Sequence, residues 1–252
     1  MPTTIELPPE TAARSATRRR GRTVLLAVAA ATGALALVVG ALTVANHAMT
    51  ERDKRTFTAD GVRELVIDQD AGDVTLVAGS VAGEVHVETS RRWAWREPGT
   101  SHTVVDGVLT LNGDCPAFGF GSCDVDLRVT VPAGTRVVVD INAGGVHAAD
   151  LDLTEFDLEI DSGSIDAAGL TVPSFRADTS SGSVEASFTA PPKEVSAQTS
   201  SGHVTLTVPD AVYNVDAGTS SGQVRIEVPQ DPDATRVISA HSSSGDVTVT
   251  RR

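Results

Sequence analysis

Thr-Ser-Ser-Gly occurs at residues 179–182, 199–202 and 219–222 of a 252-residue chain. A serine next to a glycine is where an acyl-transfer nucleophile would be sought. Such a serine sits in a Gly-x-Ser-x-Gly turn and needs a histidine and an acid in reach. Ser180, Ser200 and Ser220 lack that turn, and no His–acid pair recurs with them. The pattern reads instead as a polar corner. Its Ser pair bonds backbone groups left open at the turn, and the Ser above and below.

The six histidines, His47, His86, His102, His147, His203 and His241, share no metal-ligand spacing, which makes them surface residues. A row four residues before successive glycines reads Asp140, Glu159, Asp178, Gln198, Gly218, His241. Stacked carboxylates repel, and such a row could take up Ca²⁺ weakly or face a basic ligand. The plainer reading is a solvated face. "DQDAGD" at 68–73 is not a recognised Ca²⁺ loop, because its Gly is fifth rather than sixth. No cofactor is expected.

"RRWAWRE", residues 91–97, is the one aromatic and basic cluster. Strand alternation puts Trp93 and Trp95 on one face, and Arg92 and Arg96 on the other. The Trp pair either packs the first repeats or forms a recognition patch. Cys115 and Cys123 are the only cysteines, closing "CPAFGFGSC". Outside a membrane this pair is expected to form a disulfide.

The compartment follows from the first 60 residues. Thr23–Ala45 is uncharged and long enough to span ~30 Å of hydrocarbon as a helix. A signal peptide would have a shorter apolar stretch. Arg14, Arg18, Arg19, Arg20 and Arg22 precede it, which puts residues 1–22 in the cytoplasm. The chain is thus expected at the cell membrane, single-pass, with its C-terminal part extracytoplasmic. Residues 46–60 read as a stalk, and 61–252 as one domain. Beyond the tail lie 15 basic and 31 acidic residues. Such a balance excludes nucleic acid as a natural partner and favours cations or basic partners.

The glycines set the architecture. Corners fall at Gly144, Gly163, Gly182, Gly202, Gly222 and Gly245, with a weaker copy at Gly72. A fixed period near twenty marks a solenoid. Two residues after the six corners come Val146, Ile165, Val184, Val204, Val224 and Val247; seven before them come Val137, Phe156, Phe175, Val195, Val215 and Ile238. Apolar offsets are odd before the glycine and even after it, so each copy holds two strands joined by a corner that shifts the phase. Ser181, Ser201, Ser221 and Ser244 precede four of the glycines. Such units bury their apolar face only by stacking. The fold is expected to be all-β: a β-solenoid of about 20 residues per coil, right-handed as parallel crossovers are. In this stack Val204 is expected between Val184 and Val224.

"VDGVLTLNG", "CDVDLRVTVPAGTRVVVDINAGGV" and the reiterated Ser-Ser-Gly-x-Val corners, following an anchor, resemble the bacterial putative-adhesin family of unknown function. The resemblance spans roughly Gly61–Thr250. It implies an extracytoplasmic β-solenoid of the right-handed β-helix type, and it brings no catalytic residues. Three function classes follow. The first is a membrane-tethered, non-catalytic binding or sensing module for an envelope polymer or a protein. The second is a structural spacer. The third, least supported by the residues, is a polysaccharide lyase or hydrolase, which needs a convergent acid, base and aromatic groove.

Overall fold

The computed structural model describes residues 50–116 and 122–252. The expected membrane span at Thr23–Ala45 lies outside them. Among the described residues there are nineteen strands, and no helix long and apolar enough to cross a membrane.

From Thr135 onward the alternation produces six copies of one unit, strand, glycine, strand. They are β8 Thr135–Ala143 with β9 Val146–Ala149, β10 Leu153–Ser162 with β11 Ile165–Leu170, and β12 Ser174–Ser181 with β13 Val184–Phe188. Then come β14 Glu194–Ser201 with β15 Val204–Val208, β16 Asn214–Ser221 with β17 Val224–Glu227, and β18 Val237–Ser244 with β19 Val247–Arg251. The Gly72 copy is β2 Glu64–Ala71 with β3 Val74–Gly79. The first strand of each copy joins a nine-stranded sheet and the second a ten-stranded sheet. All neighbouring copies pair parallel, and the register shifts only between Leu153 and Glu155 of β10 and between Ala167 and Leu170 of β11.

The corner glycines show why the register holds. Gly182 has φ +150°, and a Cβ there would collide with the carbonyl oxygen of Gly163 in the next copy. The glycines thus stand directly on one another, from Gly72 through Gly144, Gly163, Gly182, Gly202 and Gly245 to Gly222. Inward Thr and Ser three residues before a glycine tie the copies together. Thr179 donates to the Gly163 carbonyl at 3.0 Å, Thr199 to Gly182 at 2.8 Å, Ser242 to Gly202 at 2.9 Å and Thr219 to Gly245 at 2.8 Å.

Four expectations are corrected. First, the copies do not stack in chain order. β18 and β19 lie between the Gly202 and Gly222 copies, so Val204 neighbours Val184 and Val247. The composition of the two copies fits this. β19 turns neutral Thr248 and Thr250 outward, which suits an inner strand. β17 carries Arg225 and Glu227 and runs into Pro229, which suits an end strand that must resist further pairing. Second, most of the expected stalk is structured: β1, Thr50–Ala59, pairs antiparallel with β4, Val85–Ala94. β4 pairs antiparallel with β7, Cys123–Pro132, and β7 runs parallel to β3. Opposite them, β5 Gly99–Val105 and β6 Val108–Asp114 form a hairpin beside β2. This antiparallel module closes one end of the stack, with Phe57 stacked on His102 at 4.0 Å.

Third, the serine hydroxyls before the glycine do not zip the corner. Ser181, Ser201, Ser221 and Ser244 give backbone carbonyls, accepting from the amides of Gly163, Gly182, Gly245 and Gly202. The side-chain ladder is built by the residue after the glycine. Ser164 accepts from the Ser183 amide, Ser183 from His203, His203 Nδ1 from Asp246, and Asp246 from Gln223. Asp73 likewise accepts from Gly145. Fourth, Trp93 and Trp95 do not share a face. Trp93 is buried in β4, and Trp95, beyond the strand end, has φ +76° and is 56% exposed.

Candidate functional site

The outer face of the nine-stranded sheet carries the charge. Parallel pairing without slippage aligns Asn112, Asp68, Asp140, Glu159, Asp178, Gln198, His241 and Gly218 across eight adjacent strands. Four consecutive members are carboxylates, each opposing the next at a strand spacing of ~4.8 Å. Like charges at that spacing cost roughly 0.2–1 kcal/mol per pair. Asp140, though open to solvent, is held above the usual carboxylate range by partial burial and then by the charges of Asp68 and Asp161. Asp178 is relieved by Arg176, 2.7 Å away. Glu159 and Asp161 have no ion-pair partner among the described residues.

Two residues nearer the corner the side chains shorten to Ser180, Ser200, Ser243 and Ser220. Short serines beside long Asp, Gln and His leave a trough of about 440 Å³ across the copies. Glu159, Asp161 and Asp178 stand at one end, and Gln198 and His241 further along. Its floor is Ile160 and the inward Thr179, Thr199 and Ser242. The hydroxyls of Ser180, Ser200, Ser220 and Ser243 are without a partner among the described residues. The trough therefore offers donors and acceptors in a periodic array, graded from anionic to neutral. Sequence reading found the row from Asp140 to His241 and placed the acids on one face. It missed the concavity, which depends on the length difference between two rows.

A Ser–His–Asp chain borders the trough. Ser239 Oγ lies 3.3 Å from His241 Nδ1, and His241 Nε2 lies 3.6 Å from Asp216. The aspartate is beyond hydrogen-bond reach and open to solvent, so it does not orient the ring as an acyl-transfer site requires. Among the described residues no group of three or more His, Cys, Asp or Glu is arranged to hold a metal ion. Asp70, in the segment considered for Ca²⁺, accepts from Asn142 and from the Cys115 amide.

The Trp cluster sits at the other end. Arg91, 3% exposed and unremarked in the sequence, points inward from β4. It pairs with Asp53 of β1, with Glu97 at 2.7 Å and with the Pro98 carbonyl at 3.3 Å, and lies 5.2 Å from the Trp93 ring centre. Burial works against its charge, but its hydrogen bonds to Asp53 and Glu97 win and hold it above its ordinary value. Arg91 and Arg55 together hold Asp53 low. A signal was present in the alternation itself: Arg91 has the parity of Val85, Val87 and Thr89. Cys115 and Cys123 form a disulfide with Cα atoms 6.0 Å apart.

Stacked strand–glycine–strand copies, two parallel-rich sheets and a polar outer trough define a repetitive all-β scaffold. The chain belongs to the Toastrack family DUF4097, which it matches over residues 61–250. Its fold is similar to that of a putative cell adhesion protein from Clostridium sporogenes, with a TM-score of 0.50 at 11% identity over 80% of this chain and 100% of that one. A putative adhesin from Bacteroides fragilis matches with a TM-score of 0.43 at 14% identity over 80% of this chain and 97% of that one. No curated protein matches the sequence.

Proposed function

We propose that the chain is a non-catalytic binding or sensing module of the cell envelope, adhesin-like, held by a single span at Thr23–Ala45 with its C-terminal domain outside. In this reading the crossovers coil right-handed, and the trough of the nine-stranded sheet takes the ligand. One observation carries it: an open trough whose serine hydroxyls are unbonded, with Glu159 and Asp161 unpaired at one end, among the described residues. Carboxylates kept in register against their repulsion are compensated when a cationic group lies along them. The ligand class is an extended partner, polymer or protein segment, that brings positive charge to Glu159 and Asp161 and hydrogen-bonding groups to the serines. A purely structural spacer needs no such array.

The test uses the full chain in cells, with a photocrosslinking residue at Gln198 in the trough or at Thr205 on the outer face of the ten-stranded sheet. Crosslinked product from 198 but not from 205, reduced by Glu159→Gln with Asp161→Asn, supports the reading. Equal yields from both faces, or yields indifferent to the two substitutions, sink it. Turnover of a captured polymer would return the enzyme class. External protease that spares residues 60–252 in spheroplasts would refute the topology.

A further inference from the structure

The turn after β4 presents a large apolar side chain at some cost. Trp95 has φ +76°, a conformation that residues with a Cβ rarely adopt, and is 56% exposed. The turn is held from beneath. Buried Arg91 bonds the Glu97 carboxylate and the Pro98 carbonyl, and the Ala94 amide donates to Ser122 at 2.9 Å. The chain on both sides of Trp95 is thus fixed while the ring faces outward.

The position of this turn matters. Thr50, the first described residue, pairs with Ala94, and Glu51 pairs with Trp93. Trp95 therefore lies one residue from the place where the chain enters the domain. Five residues lead from Ala45, the last of the uncharged run, to Thr50, and reach at most ~18 Å. Arg52 and Arg96 are exposed here without an ion-pair partner among the described residues, alongside exposed Glu51. Tryptophan with nearby arginine suits the headgroup layer, where an amphipathic ring meets both apolar and polar surroundings.

We propose that Trp95 seats the domain on the outer surface of the bilayer that holds its own anchor, with lipid headgroups as its partner. This rests on the reading of Thr23–Ala45 as a membrane span.

The experiment uses the full chain in nanodiscs of phosphatidylcholine and phosphatidylglycerol, with ordinary or brominated acyl chains. The chain has two tryptophans, so the difference between wild type and Trp95→Phe gives the Trp95 emission with Trp93 left in place. That emission is expected to be blue-shifted and quenched about twofold by the brominated chains, as for an interfacial ring. The Trp95→Phe protein, reporting Trp93, is expected to be unaffected by bromination. Trp95 emission that stays red and unquenched, in a chain that co-purifies with the nanodiscs, overturns the proposal and leaves the anchor standing. A chain that fails to co-purify with them overturns both.

Discussion

Val204 lies in register beside Val247, the residue two positions after the last corner glycine, and Val224 lies on the far side of Val247. The last copy of the repeat is therefore an inner layer, and the copy before it in sequence is the end layer. Val247 is fully buried, whereas Val224 is 43% exposed.

A pair of substitutions tests this order. Val247→Asp buries a carboxylate without a partner and is expected to cost roughly 3 kcal/mol or more, or to prevent folding. Val224→Asp adds the same charge at an open edge and is expected to cost much less. Urea midpoints of the two proteins decide it. The reverse ranking would mean that the copies stack in chain order.

The glycine column gives a second pair. Gly182→Ala drives a methyl group into the Gly163 carbonyl of the neighbouring copy. Gly134 also has a positive φ, +80°, but nothing lies within 4 Å of where its Cβ would stand. Gly134→Ala is expected to cost only the backbone strain, roughly 1–2 kcal/mol. Gly182→Ala is expected to exceed it clearly in thermal unfolding. Equal losses would remove close contact as the reason for glycine at the corners.

Thr199 donates to the Gly182 carbonyl at 2.8 Å from a nearly dry position. Thr199→Val keeps the shape and removes the donor, and is expected to cost about 1–3 kcal/mol. Ile160, two copies away in the same column, shows that the position accepts an aliphatic side chain. A Thr199→Val protein as stable as the wild type would make the hydroxyl ladder incidental.

Asp140 yields a pH prediction. Its carboxyl titrates above the ordinary range because of partial burial and then Asp68 and Asp161. The folded state thus holds this proton more tightly than the unfolded state. The group therefore destabilises the fold at neutral pH, and the penalty fades as pH falls through its raised value toward the unfolded one. Asp140→Asn is expected to raise the unfolding midpoint at pH 7, with the gain shrinking as pH falls through the raised value and gone once pH is below the unfolded-state value as well. A gain that persists unchanged at low pH would assign the effect to something other than charge.

The corner residues were legible because they recur. Odd offsets before each glycine and even offsets after it fixed which side chains point inward, and Phe156, Phe175, Val195 and Ile238 are all buried as that parity requires. Cys115 and Cys123 were legible because they are the chain's only cysteines and close a short loop. The row from Asp140 to His241 was legible as a row. Its trough was not, because depth arises between rows, from the difference in side-chain length between the row of Asp178, Gln198 and His241 and the serines nearer the corner. The side of Trp95 was not legible, because strand alternation ends with β4 at Ala94 and the backbone turns to φ +76° at Trp95.

The sequence by itself determined the unit: its two strands, its glycine corner, its inward columns and its period. Those features are local, since side-chain parity and the need for φ above zero are read within about twenty residues of chain. Only the tertiary structure decided which copy touches which. Every copy offers nearly the same backbone edge and the same Val, Ala and Thr columns, so pairing alone does not prefer chain order. The two copies that exchange places differ in their outward residues, neutral Thr248 and Thr250 inside and charged Arg225 and Glu227 at the end. Their effect appears only when the whole stack is assembled and one edge is left facing water.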